Sequence, residues 1–157
     1  MNSTITRIET LASAFAATTL RQFKEGNAQE IAYDADGRLI GDFEAAFTHC
    51  GLYGIRAVKD GHTGIIYIGK AQNSGRLRHH LERKNKNGTI LAESTKNKHR
   101  EIRAAIRDGY ALFLCLYSDA GFRQASLSCL ENALSLAARE DFKRTFRGVK
   151  HWNHRIG

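Results

Sequence analysis

Residues 51–80, GLYGIRAVKDGHTGIIYIGKAQNSGRLRHH, constrain the fold of this chain more than any other stretch. One apolar run starts at Gly51-Leu52-Tyr53 and a second ends at Tyr67-Ile68-Gly69. Both are rich in β-branched and aromatic residues, which suit strands. Between them, Lys59-Asp60-Gly61-His62-Thr63-Gly64 carries the Asp-Gly signal of a hairpin turn. The pattern predicts an antiparallel strand pair with its turn in residues 59–64. A basic helix should follow, from Asn73 or Ser74 to Arg83.

The chemistry of this stretch is as informative as its shape. Gly69 ends a strand and lets backbone come close to a neighbour, and Lys70 follows at once. Arg76 and His80 are four apart, so they share one face of the helix. An arginine beside tyrosine hydroxyls at strand ends suits the handling of a phosphate group. The same residues also read as a hairpin with aromatic cross-strand packing, followed by a solvated basic helix.

Charge favours a polyanionic partner. The chain has 157 residues, a formal net charge of +8 and a pI near 9.7, a balance that suits nucleic acid or an anionic surface. Ten Lys or Arg lie between Arg76 and Arg107, against Glu82, Glu93 and Glu101, so most of the excess sits in two helices and their connector. Lys96, Lys98, Arg100 and Arg103 are placed to contact phosphates without reading sequence.

The remaining elements follow from periodicity and punctuation. Residues 5–23 read as an amphipathic helix with Ile8, Leu11 and Phe15 at helical spacing. Residues 30–42 read as a small hairpin around Asp34-Ala35-Asp36-Gly37, and the two aspartates read as turn chemistry because a calcium loop needs further acids. Ser94 or Thr95 is a good N-cap for a helix to about Asp108. Tyr110 to Tyr117 is short and dense in apolar residues, which suits a buried strand, the third of the core sheet.

From Phe122 or Arg123 to Lys143 the pattern is helical, with Leu127, Leu130 and Leu134 as its buried stripe. Glu131 falls inside that stripe. A carboxylate turned toward a core edge is costly unless it is paired or holds a metal, and pairing with a nearby arginine is the plainer reading.

Length and 42% hydrophobic content are sufficient for one real core. The expected organisation is an N-terminal helix and hairpin extension over residues 1–48 and a main domain over 49–157, joined in one compact unit. Cys50, Cys115 and Cys129 lack metal-ligand spacing and read as reduced, mostly buried thiols of a cytoplasmic protein. No apolar run reaches the roughly 18 residues of a membrane span, and no signal-peptide pattern opens the chain, so no membrane partner is expected.

Taken together, Gly51-Leu52-Tyr53, Tyr67-Ile68-Gly69-Lys70 and Arg76-Leu77 with His80 resemble the GIY-YIG nuclease superfamily. Within it the chain is most similar to small stand-alone endonucleases of the bacteriophage endonuclease II kind, through Ser94-Thr95-Lys96, the upstream Asp-Gly hairpin and Trp152-Asn153. It departs from the pattern at Leu52, where isoleucine is usual, and in the short spacing from Tyr67 to Arg76, which makes Arg78 a rival for the arginine role.

The resemblance implies an α+β fold with a small three-stranded, mainly antiparallel central sheet flanked by helices. It implies a DNA endonuclease working with one Mg²⁺ or Mn²⁺ ion. Glu131 would bind the metal, Arg76 would clamp the scissile phosphate, and Tyr53 would serve as general base. That last role requires nearby cations to depress a phenol whose free pKa is about 10. Tyr67, His80 and Lys70 would orient water and phosphate, and Asn153 would steady the site. The expected partner is double-stranded DNA, cut by a homodimer or homotetramer. A non-catalytic DNA-binding module, a restriction enzyme and a repair-type nicking nuclease are the other readings.

Overall fold

The structure, a computed structural model, describes residues 3–71, 75–84, 87–92, 98–117 and 124–153, with side chains described for all of these except 3–6, 8 and 124–127. Its elements in order are α1 (Ser3–Glu25), β1 (Gln29–Ile31), α2 (Glu44–Phe47), β2 (Gly51–Lys59), β3 (His62–Ala71), α3 (Arg76–Glu82), α4 (His99–Arg107), β4 (Ala111–Tyr117) and α5 (Gln124–Thr145).

The fold is mixed α+β, around an antiparallel sheet of order β1-β4-β2-β3. The sheet therefore has four strands where three were expected. The addition is β1, which pairs Gln29 with Leu114 and Ile31 with Leu112. The local hairpin reading overlooked that β4 offers a second edge whose backbone groups need partners. Ile31 also buries its side chain in the core there. Little of the hairpin's own ladder remains: Tyr33 bridges Leu39, and the Ile40 N–H donates to the Ala32 carbonyl at 2.9 Å. Its turn is closed by Asp34, whose Oδ1 accepts the N–H groups of Asp36 and Arg38 at 2.9 Å each.

The β2–β3 hairpin is tighter than expected. Asp60 and Gly61 both have positive φ, 52° and 77°, as a two-residue hairpin turn needs. His62, Thr63 and Gly64 therefore belong to β3. A register shift between Ile55 and Arg56 leaves Ile66 as the extra residue on β3.

Helices cover both faces of β2, which explains its nearly continuous burial. On one face Tyr53, Ile55 and Ala57 join Leu112 and Leu114 beneath Phe47, Leu77, Leu81 and Ile102. On the other, Leu52, Ile68 and Cys115 meet Phe23 of α1 and Leu134 and Ala138 of α5.

Two helices differ in detail from the pattern read above. In α1 the buried residues are Ala16, Thr19 and Phe23, whereas Leu11 is 63% exposed. Small residues let α1 approach its neighbours closely, and an apolarity count does not see that. The side chain of Ile8 lies outside those described. Helix α4 begins at His99 with Lys98 as its N-cap, and Ser94 and Thr95 lie outside the described residues. Of the cysteines Cys115 is buried as expected, whereas Cys50 and Cys129 are exposed. No helix among the described residues is long and apolar enough to cross a membrane.

Candidate active site

Tyr53 and Gly69 are cross-strand partners, and Ile55 and Tyr67 are the next pair along the same face. A Cβ at residue 69 would lie 2.4 Å from both Cζ and Oη of Tyr53, so the phenol lies directly over the glycine. Tyr53 and Tyr67 thus form a diagonal pair, with ring centroids 6.0 Å apart. Helix α3 adds His80, whose ring lies 6.1 Å from Tyr53 and 5.8 Å edge-on from Tyr67.

The His80 tautomer follows from its neighbours. Nδ1 accepts the Lys98 backbone N–H at 2.9 Å, so in the neutral ring the proton sits on Nε2. Burial first, then the charges of Arg76, Lys98 and His79, push the imidazole pKa down to about 3. The neutral ring is the form present at pH 7. Its Nε2 is buried and has no hydrogen-bond partner.

Arg76 opens α3 and acts electrostatically on Tyr53, Tyr67 and His80. Arg78, the rival arginine, is committed elsewhere. It pairs with Glu82 at 3.1 Å and Glu44 at 3.4 Å, and its guanidinium lies 4.3 Å over the Phe47 ring.

Glu131 comes from α5, which runs along the edge strand β3. Burial raises its carboxyl pKa, against the opposing charges of Lys70 and Arg76. Its Oε2 is buried with no hydrogen-bond partner. Lys70 reaches the same helix by donating from Nζ to Ser128 Oγ, one turn before Glu131. Arg76 is thus the charge common to the phenols and the carboxylate.

One expectation is reversed here. Tyr53 is fully buried, and burial lifts its pKa well above that of a free phenol. Tyr67 adds to the rise and Arg76 opposes it. No hydrogen bond of good geometry satisfies Tyr53 Oη, even though Arg76 and Tyr67 are close enough to act on it. The phenol is held protonated, because loss of solvation outweighs one partly solvated guanidinium.

The C-terminal segment fastens β3. Asn153 accepts the Ile68 N–H at 2.7 Å and donates to the Ile68 carbonyl at 2.8 Å. The Trp152 N–H donates to the Ile66 carbonyl at 3.0 Å, and His151 Nε2 donates to the Ile65 carbonyl at 2.9 Å. Tyr67 sits between these anchored residues. No role was read from the sequence for Ser128 or His151. Ser128 carried one weak signal, its i, i+3 spacing from Glu131.

The other basic residues scatter. Lys98 Nζ lies 5.4 Å over the Tyr67 ring, beside the site, and 3.9 Å from Glu101. Arg100 is exposed on α4. Arg103 faces away, over the Tyr33 ring at 4.6 Å. It lines a cleft of about 740 Å³ that none of Tyr53, Tyr67, Arg76 and Glu131 touches. Lys96 lies outside the described residues.

As for metals, no group of three or more His, Cys, Asp or Glu among the described residues could hold an ion. A cation here would have Glu131 as its protein ligand, with water and substrate oxygens completing the shell. That is how Mg²⁺, which keeps much of its hydration, is commonly held. The orphaned Oε2 fits such a role.

The site therefore gathers two donors, Tyr53 Oη and His80 Nε2, a guanidinium and one carboxylate around the end of β3. No protein-family model, no curated protein and no solved structure matches this chain.

Proposed function

We propose that this protein is a metal-dependent endonuclease of the GIY-YIG type, hydrolysing phosphodiester bonds of double-stranded DNA. The observation that carries the reading is that three buried polar atoms at this one site lack a hydrogen-bond partner: Tyr53 Oη, His80 Nε2 and Glu131 Oε2. Buried polar groups are nearly always hydrogen-bonded, and an exception has a specific cause, such as a catalytic role, an ordered water or an ion. A phosphodiester supplies acceptor oxygens for the two donors and for Arg76. A divalent cation of the magnesium class supplies a partner for Glu131 and, when bound, neutralises charge on the reacting phosphate.

The protein's own residues have distinct parts in this reading. Arg76 clamps a non-bridging oxygen with a planar, permanently charged fork. His80, neutral and fixed as its Nε2–H tautomer by the Lys98 amide, donates to a second oxygen. Tyr53, kept protonated by burial, donates to the phosphate rather than standing ready as a base. Lys70, with Arg76, holds the Glu131 carboxylate toward its ionised form. A chain with one such site cuts both strands as a homodimer or homotetramer, and nicks as a monomer.

Glu131→Ala is expected to lower Mg²⁺-dependent plasmid cleavage by at least about a hundredfold while DNA binding persists. Cutting at the parent rate would remove Glu131 from the site. A parent protein that binds DNA yet leaves plasmid intact, with or without EDTA, would instead be a non-catalytic binding module.

A further inference from the structure

We infer that the cleft at the C-terminal end of α3 takes the phosphodiester backbone of double-stranded DNA, about three base pairs from the phosphate held by Arg76. That spacing rests on the nuclease reading above. A seven-residue helix is roughly 10 Å long, and each base pair rises about 3.4 Å.

The cleft, of about 740 Å³, lies between the Asp34–Arg38 turn, the end of α3 and the start of α4. Both lips are held by hydrogen bonds that involve backbone groups. In the turn, Asp34 Oδ1 accepts from the N–H groups of Asp36 and Arg38, and the Gly37 N–H donates to the Asp34 carbonyl at 3.0 Å. At the other lip the Leu91 N–H donates to the Arg83 carbonyl at 2.8 Å, and Lys84 bridges Ile90.

Arg38, Arg83, Lys84 and Arg103 line the cleft, against Asp36 and Glu82. Of the two acids, Glu82 is paired with Arg78, which is not in the lining. Cations on both lips of an open groove suit a polyanionic strand lying along it.

The backbone adds an independent observation. Arg83 ends α3 with φ of 56°, in the left-handed region. Glycine is the usual residue there because any Cβ adds strain. A long cationic side chain in that conformation, at the mouth of a charged cleft, has the character of a ligand-binding position.

The test is an anisotropy titration of full-length Glu131→Gln protein with a short DNA duplex, in EDTA and over a range of salt. Arg38→Ala, Arg83→Gly and Lys84→Ala are each expected to lower the slope of log affinity against log salt by about 1. Arg83→Gly should do so with a Tm equal to or above the parent's, which separates lost contact from lost fold. Equal slopes in the parent and the triple variant overturn the cleft assignment, and leave the nuclease reading standing if the wild type still cuts. Reduced slopes in a protein whose wild type never cuts uphold the cleft and overturn the nuclease reading alone. A parent that binds polyglutamate as tightly as the duplex overturns DNA as the occupant.

Discussion

A methyl group on residue 69 would occupy the space of the Tyr53 hydroxyl, so these two residues act as a unit. The glycine exists to admit the phenol, and the phenol is left with no hydrogen-bond partner of its own. Removing an unsatisfied buried hydroxyl relieves a cost of about 1–3 kcal/mol. Tyr53→Phe should therefore unfold at equal or higher urea concentration than the wild type, while losing about a hundredfold in cleavage. A variant that is less stable, or cuts normally, would show that the hydroxyl is satisfied or unused. Residue identities at the site were legible in the strand-end tyrosines and the Arg76–His80 spacing. The ionisation of Tyr53 was not, since a pKa follows from solvent exclusion and charges that only packing assembles. The choice between Arg76 and Arg78 was equally hidden, because it depends on Glu44 and Phe47 of α2 being at hand to occupy Arg78.

At the level of elements, β3 is an edge strand whose outer backbone is covered by three residues from far along the chain. Ile65, Ile66 and Ile68 all bond to residues 151–153. Asn153 imitates a neighbouring strand by offering one donor and one acceptor to a single residue. Asn153→Ala should leave Ile68 N–H and C=O unpaired, at a cost of about 1–3 kcal/mol. Its amide should exchange faster with solvent, and cleavage should fall because Tyr67 and Gly69 lose their fixed strand. Unchanged exchange at Ile68 would mean that the clamp is dispensable. Existence and type of the larger elements could be read from periodicity and turn residues, both being local properties. Edge coverage could not be read, because strand partners are chosen by whatever backbone is left unpaired after folding. That is why β1 became a fourth strand and why no anchoring role was read for His151.

Over the whole molecule, two buried imidazoles couple stability to pH. Burial is the main cause in each, with the His80 pKa pushed down to about 3 and that of His151 to about 4. In the unfolded chain both titrate near 6.5. Between these values the unfolded state binds more protons, so stability rises with pH. The contribution is complete above about pH 6.5 and is lost as pH falls toward 4 for His151 and toward 3 for His80. Each histidine should add a slope of about 1.4 kcal/mol per pH unit within its window. Glu131, raised by burial, works in the opposite sense. Urea unfolding between pH 5 and 6 should show the combined slope, and His80→Gln should remove about half of the histidine part. A slope left untouched by that substitution would mean that His80 is accessible to protons in the folded state. By itself the sequence determined the β2–β3 hairpin, the helices around it, the concentration of positive charge and the residue types available for phosphate chemistry. These depend on side-chain pattern within one or two turns of chain. Tertiary structure alone decided the fourth strand, the phenol that stays protonated, the arginine that faces it and the approach of Glu131 from α5 to Arg76. Each of those depends on which distant surfaces exclude water together.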